Sequence, residues 1–217
     1  LQLMFSGSYM RRWNDKLRPV ELYEIDKQAH KMMILYVLAR FEEQDHQARL
    51  NWRALIEGGI FEFLHRIVLT DIKPPVFHEL MRVHGKKLNS WVYEELRQRI
   101  PDLDPVFMAK MQRHFDEPQE NYMEKKLLRA AHYLATQWEF GIIYHFNQGI
   151  YGVEETKAAI ESEIEDHYDL AGVQKLSLKG KTSKFVDLVG QLRFQKRWAQ
   201  SPRVPETSVM GHVLIVA

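Results

Sequence analysis

Residues 26–41 read DKQAHKMMILYVLARF and carry the pattern on which the fold assignment rests. Side chains at helical spacing of three and four residues are His30, Met33, Ile34, Val37, Leu38 and Phe41. They lie on one face of a helix, and Asp26 is a suitable N-cap because its carboxylate can accept from first-turn N–H groups. Helical spacing continues through most of the chain and strand-like alternation is scarce, which predicts an all-α fold.

Further helices are predicted at residues 51–69, from Pro74 or Pro75 to Met81, and at 88–99, 105–114, 118–146, 153–168 and 183–198. The first of these contains Gly58-Gly59, which costs roughly 1–2 kcal/mol of helix propensity. Such a pair indicates close helix packing or the near approach of a ligand. Pro202 and Pro205 mark a linker over residues 201–207.

The composition of the 217 residues suits one domain, or one domain plus a fragment. The formal net charge is +1 with neutral histidines, so no excess of basic charge points to nucleic acid or a membrane as a partner. The sequence has no cysteine, which rules out disulfides and thiolate metal sites. It has no basic, apolar leader of the kind that directs secretion, so the cytoplasm is the expected location.

A pattern near the start of the chain recurs near its end. Arg12-Trp13, Arg18 and His30 precede one apolar run, and Arg197-Trp198, Arg203 and His212 precede another. Eleven residues separate Arg18 from His30, and eight separate Arg203 from His212. This long-period repetition predicts a duplicated domain. We expect one unit at residues 1–150, a helical extension at 151–200, and the opening of a second, truncated unit at 201–217.

Residues 57–76 read EGGIFEFLHRIVLTDIKPPV and resemble the second motif of the HD superfamily of metal-dependent phosphohydrolases, especially its bacterial 5′-deoxynucleotidase-like branch. The Arg-Trp, Arg and His elements resemble the opening motif of that branch, and residues 208–212, SVMGH, are close to its pattern around the first ligand histidine. The resemblance covers residues 10–146 loosely and 197–217 more tightly. It implies an HD-domain-like multi-helix fold with a C-terminal helical extension.

In the family, a first histidine, a His-Asp pair and a later aspartate hold a metal ion. Carried over to this sequence, the first histidine is His30. The His-Asp pair falls on Glu62 and Phe63, and the later aspartate falls on His132. The position of the family's catalytic glutamate is Arg66, and the aspartate after the turn is kept as Asp71.

The resemblance implies hydrolysis of a small-molecule phosphate ester, such as a nucleoside monophosphate, with a divalent ion of Mn, Co, Fe, Zn or Mg. Such an ion polarises a phosphoryl oxygen or supplies hydroxide near neutral pH. His30, Glu62 and His132 are the predicted metal ligands, because two imidazoles and a carboxylate suit a divalent ion. Asp71 and Arg66 are the predicted catalytic positions. The predicted substrate contacts are Arg18 and Arg203.

Two interpretations of this site remain open. In one, His30, Glu62 and His132 still bind a metal ion. In the other interpretation the site is inactive and binds no metal ion. Phe63 then lies in the core, Arg66 pairs with Glu62 or Asp71, and His30 and His132 are satisfied by hydrogen bonds.

Two functions follow from these interpretations. The whole protein would be a metal-dependent phosphohydrolase whose catalysis takes place in the second unit. Alternatively, this part of the chain would be a non-catalytic scaffold or regulatory module that docks an active HD domain or another partner. An apolar face left uncovered by an absent second unit would also favour a homo-oligomer.

Overall fold

The computed structural model describes residues 1–70, 72, 74–197, 200–201, 204 and 206–216, with the backbone alone for residues 74, 75, 77 and 78. These residues form ten α-helices and two isolated β-bridges without a strand, which confirms the all-α prediction. The helices are α1 (Gln2–Phe5), α2 (Glu24–Asp45), α3 (Trp52–Leu69), α4 (Pro74–Arg99), α5 (Pro105–Asp116), α6 (Tyr122–Asn147), α7 (Val153–Glu165), α8 (Ala171–Ser177), α9 (Lys181–Gly190) and α10 (Val209–Val216).

Helix α2 lies at the centre of the molecule and contacts α3, α6, α8, α9 and α10. All residues from Glu24 to Lys31, in its first two turns, are buried, whereas Tyr36 and Arg40 further along are exposed. The first two turns therefore bury more than the single face that the sequence predicts. Because this part of α2 is enclosed, its polar side chains must find partners inside the protein.

The apolar core has three parts. The largest joins α2, α6, α7 and α8 around residues such as Leu35 and Leu127. A second joins α3, α4 and α5 around Phe61 and Met111. A small third cluster consists of Ile25, Phe63 and Ile67, with side chains of α1 and α10 against it. No helix in the described ranges has the length and apolar character that a membrane span requires.

Two helix starts follow ordinary capping chemistry. Asn51 Oδ1 accepts from the backbone N of Ala54 at 3.1 Å, and Asp104 Oδ1 accepts from the backbone N of Val106 at 2.9 Å. The prediction that Asp26 is the N-cap of α2 is wrong. The helix begins at Glu24 after Tyr23, and Asp26 lies one turn inside it, where its carboxylate accepts from the hydroxyl of Ser208.

Other helix boundaries also differ from the predictions. The two helices predicted at 74–81 and 88–99 form one helix, α4, with a kink at His84 (φ −129°, ψ 19°). Helix α8 was not predicted, because seven residues are too few for a periodic pattern. The helix predicted at 183–198 ends at Gly190 and continues as a 3₁₀ turn over Gln191–Phe194.

A glycine sets the distance between α8 and α2. A Cβ atom at Gly172 would lie 2.8 Å from Cα of Leu38 and 2.7 Å from its Cδ2. The nearer contact is with a side chain, but the backbone atom cannot move aside without shifting α2. Helix α8 therefore depends on the absence of a side chain at this position.

We expect Gly172→Ala to lower the free energy of unfolding by about 1–3 kcal/mol, because it overfills a close helix contact. Gly141→Ala is the matched control, since Gly141 is exposed in α6 and a Cβ there meets no atom within 4 Å. The control should gain up to about 1 kcal/mol from helix propensity. Urea denaturation measures both, and equal midpoints for the two variants would contradict the close contact.

Candidate functional site

Charged side chains meet where α2, α3 and α6 lie against the N-terminal segment. We call them the charged cluster, which consists of Arg12, Glu24, Lys27, Lys31, Glu62, Arg66 and His132. Four of these residues carry a cationic group other than histidine and two carry a carboxylate. The cluster includes two of the three predicted metal ligands.

Glu62, a predicted ligand, binds a lysine. Nζ of Lys31 donates to Oε2 of Glu62, and Nε2 of His114 lies 3.4 Å from Oε1. The side chain of Lys31 is 1% exposed and that of Glu62 is 29% exposed. Burial raises the pKa of Glu62, but Lys31 and His114 outweigh it and hold that pKa at about 2. Glu62 is therefore an ionised partner of a buried amino group.

His132, a second predicted ligand, faces the other buried lysine. Nζ of Lys27 lies 2.7 Å from Nδ1 of His132, and Lys27 is 1% exposed. His132 keeps part of its surface in solvent, while its ring nitrogens face Lys27. Burial of this side of the ring, together with the charges of Lys27, Lys31, Arg12 and Arg66, lowers the pKa of His132 well below the ordinary value. The imidazole is therefore neutral and can accept from Lys27.

Burial also lowers the pKa of Lys27 well below its ordinary value. The charges of Arg12 and Lys31 act in the same direction, while Glu24 opposes them. Lys27 and Lys31 lie four residues apart and so share one face of α2. This face presents two amino groups to the cluster.

Arg12 and Arg66 share the carboxylate of Glu24. Nη1 of Arg12 donates to Oε2 of Glu24 at 2.7 Å, and Nε of Arg66 lies 3.5 Å from the same oxygen. Burial raises the pKa of Glu24, but Arg12, Lys27 and Arg66 hold it at about 2. Arg66 also donates to the backbone oxygen of Thr70 at the end of α3.

These contacts give Arg66 a partner other than the two suggested by the sequence. Among the described residues, its carboxylate partner is Glu24 rather than Glu62. Asp71, the other suggested partner and a predicted catalytic position, lies outside the described residues.

Glu139 connects the cluster to both ends of the described chain. It is completely buried and accepts from Nε of Arg12 at 2.6 Å, Nε1 of Trp13 at 3.1 Å and Nη1 of Arg193 at 2.7 Å. Burial raises the pKa of Glu139, but Arg12 and Arg193 outweigh it and lower that pKa. The carboxylate therefore carries a full charge that three donors from distant parts of the sequence neutralise.

His30, the third predicted ligand, lies away from Glu62 and His132 in its contacts. Its Nε2 lies 3.0 Å from the backbone oxygen of Val186, and its Nδ1 lies 3.3 Å from Nη2 of Arg193. The ring is completely buried against Trp138. Burial and the charge of Arg193 lower the pKa of His30 to about 4. His30 is a neutral histidine that joins α2 to the segment after α8.

Phe63 and the glycine pair serve packing. Phe63 is 1% exposed and belongs to the small core cluster, where it contacts Gly7. A Cβ at Gly58 would lie 2.7 Å from Cδ1 of Leu128 on α6, and one at Gly59 would meet Met32 on α2. Of the two roles suggested for the glycine pair, the structure shows close helix packing.

The predicted substrate contact Arg18 stabilises a loop. Its Nη1 donates to the backbone oxygen of Arg12 at 2.8 Å and lies 3.4 Å from Glu21. Arg203, the other predicted contact, lies outside the described residues.

A cavity of about 220 Å³ lies near the N-terminal ends of α3 and α6. Basic side chains line it, but Arg53 and Lys110 bind Glu57 and Arg113 lies 3.6 Å from Glu120. His114 is the wall residue that also contacts Glu62.

Within the described part of the chain, no group of three or more histidine, aspartate or glutamate residues is placed to hold a metal ion. The structure brings Glu62 and His132 to one cluster through lysines, and it places His30 elsewhere. Metal binding by these three residues stays a prediction.

Sequence reasoning missed Lys27, Lys31, Glu139 and Arg193. The available signal was a pair of lysines one helical turn apart, just before and at the start of the apolar run of α2, and a lone carboxylate within the apolar part of α6. Charged residues in such positions must be paired inside the protein.

Neither a protein-family model nor a curated protein matches this chain.

We expect Glu139→Gln to lower the free energy of unfolding by about 3–5 kcal/mol, because it leaves the charges of Arg12 and Arg193 buried without their carboxylate. Glu79→Gln is the control, since Glu79 pairs with Arg82 on the exposed surface of α4. The control should unfold at the wild-type urea concentration. A Glu139→Gln protein with the wild-type midpoint would show that the buried ion pairs are not needed.

The carboxylate of Asp26 should make stability depend on pH. Burial raises its pKa from 3.8 to about 6, against the hydrogen bond from Ser208 and the charge of Arg193. The folded protein then binds this proton more tightly than the unfolded chain, so its stabilising effect is present below pH 3.8 and is lost as the pH rises through about 6.

Asp26→Asn removes this titration, so wild type should lose stability relative to the variant between those two pH values. Urea midpoints of both proteins across the range measure the difference. His30, whose lowered pKa acts in the opposite direction, cancels in the comparison because both proteins contain it. A constant difference between the two proteins would contradict the raised pKa.

Proposed function

We propose that residues 1–150 form a degenerate HD-like unit which, with the helical extension at residues 151–200, acts as a non-catalytic scaffold or regulatory module. The observation that carries the proposal is the pairing of Glu62 with Lys31 and of His132 with Lys27. The resemblance assigns metal binding to positions 62 and 132. The side chains there bind amino groups instead.

Electrostatics opposes a divalent ion in this cluster. Two unit charges 4 Å apart interact by about 4 kcal/mol at an effective dielectric constant of 20, and a divalent ion doubles that value. Besides Lys27, whose pKa burial lowers, the cations near His132 are Lys31, Arg12 and Arg66. An ion bound to His132 would meet this repulsion, and it would also have to displace Lys31 from Glu62.

The residue at the dyad aspartate position also supports the proposal. Phe63 is buried in the core and has no oxygen atom to bind a metal ion or orient a water molecule. The neighbouring position of the catalytic glutamate is Arg66, whose guanidinium is bound to Glu24 and Thr70. Neither side chain can act as a general base.

A second candidate function belongs to the whole protein, namely metal-dependent hydrolysis of a phosphate monoester such as a nucleoside monophosphate. The recurrence of Arg197, Arg203 and His212 favours it, because these residues repeat the opening pattern without the lysines of the first unit. In this proposal His212 is a first metal ligand and Arg203 a substrate contact of a second unit. Cytoplasmic location and homo-oligomerisation stay predictions.

Elemental analysis of the protein purified without chelator tests the main proposal, together with a phosphatase screen in Mn²⁺, Co²⁺ and Mg²⁺. We expect no bound transition metal, no hydrolysis of phosphate monoesters, and the same result for His30→Ala. About one metal ion per chain, absent from His30→Ala, would overturn the proposal and support the predicted ligand set.

A further inference from the structure

Two parts of the chain form the same local structure. Arg11 and Tyr23 form an isolated antiparallel bridge, and Lys196 and Ser208 form another. Both members of the second bridge lie 185 residues after their counterparts. Each bridge joins residues twelve positions apart in the sequence.

The backbone hydrogen bonds that close each bridge keep the same offset. The first pair runs from N of Arg12 to O of Leu22 (2.8 Å) and from N of Glu24 to O of Met10 (2.9 Å). The second pair runs from N of Arg197 to O of Thr207 (2.9 Å) and from N of Val209 to O of Gln195 (2.7 Å). A helix then begins at Glu24 in one case and at Val209 in the other.

The sequence agrees with this register. At the offset of 185 residues, Arg12-Trp13 corresponds to Arg197-Trp198, and Arg18 corresponds to Arg203. The same offset pairs Lys27 with His212. Eight residues separate Arg18 from Lys27, and eight separate Arg203 from His212. The unequal spacing that arises when His30 is paired with His212 disappears.

We infer that residues 195–212 are a second copy of residues 10–27, and that Lys27 rather than His30 occupies the first ligand position of the first unit. This inference rests on the proposed function, because it explains how the first unit lost its metal ion. The amino group of Lys27 stands where a ligand imidazole would stand, and it contacts His132. In this register His30 corresponds to Ile215, an apolar residue against the small core cluster.

The register also explains the environment of His30. A metal ligand must face the site, whereas an apolar position faces the core. His30 has no exposed surface and contacts Trp138, Val186 and Arg193. Its neighbours are those of a core residue whose polar atoms are satisfied.

Lys27→Met is the reference variant, since it removes the amino group without adding a ligand. Every variant of this test, the reference included, also carries Lys31→Met, which releases Glu62 from its amino group and removes one of the charges that oppose a divalent ion at His132. In that background Lys27→His should create a divalent-ion site, because the introduced imidazole would lie beside His132 with Glu24 and Glu62 in the same cluster. Titration with Co²⁺, followed by its visible absorption, should show about one ion bound per chain in Lys27→His and none in wild type or Lys27→Met. The gained binding should be lost in Lys27→His/His132→Ala and kept in Lys27→His/His30→Ala.

Each result decides the inference. Binding that is gained at position 27 and is independent of His30 supports it, as does a Lys27→His protein that folds only when Co²⁺ is added. A folded Lys27→His protein that binds no Co²⁺, binding that needs His30, or a protein that fails to fold with and without Co²⁺ overturns it. Metal already bound to wild type would instead defeat the proposed function, so the two failures are distinguishable.

Discussion

The fold depends on one buried carboxylate, that of Glu139, and on the three donors that neutralise it. A buried ion without partners costs several kcal/mol, so the donors must be present whenever the core is closed. Arg12 and Trp13 come from the segment before α2, and Arg193 comes from the turn after α9. Each segment also packs an aromatic ring beside this ion pair, Trp13 against Phe140 and Phe194 against Trp138. The donors to Glu139 and these rings together attach both segments to α6.

The charged cluster is linked to Glu139 through Arg12, and its buried charges likewise need partners inside the protein. Arg12 binds Glu139 with one nitrogen and Glu24 with another, and Glu24 in turn contacts Arg66. Lys27 and Lys31 enter the cluster from the enclosed first two turns of α2 because these turns offer them no route to solvent. There they contact a carboxylate and an imidazole, since Lys31 binds Glu62 and Lys27 lies against His132. Positive charge is therefore supplied by the protein itself.

The sequence sufficed for the fold class and for most helices, because long apolar periodicity survives in α2, α3, α5 and α6. It was less successful where tertiary contacts decide. Asp26 has the chemistry of an N-cap, yet the helix begins at Glu24 and the carboxylate of Asp26 accepts from the hydroxyl of Ser208, far away in sequence. Helix α8 is too short to produce a period.

At the candidate site, too, some residues could be predicted from the sequence and others depend on tertiary contacts. Glu62, Arg66 and His132 were singled out from the sequence, and the structure places them in one cluster. His30 was singled out with them, but its ring packs against Trp138 in the core and its nitrogens contact Val186 and Arg193. No pattern in the sequence reveals that Lys27 and Lys31 reach those residues, because their pairing depends on how α2 crosses α3 and α6.

The attachment of Arg193 to Glu139 and His30 also has a consequence for the order of events during synthesis. A ribosome releases α2 and α6 well before residue 193, so Glu139 and Nδ1 of His30 exist for a time without one of their donors. The packed arrangement of α2 against α6 cannot reach its final stability until the 3₁₀ turn over Gln191–Phe194 has emerged. A nascent chain that ends before this turn would therefore lack the guanidinium of Arg193, which offsets the buried charge of Glu139.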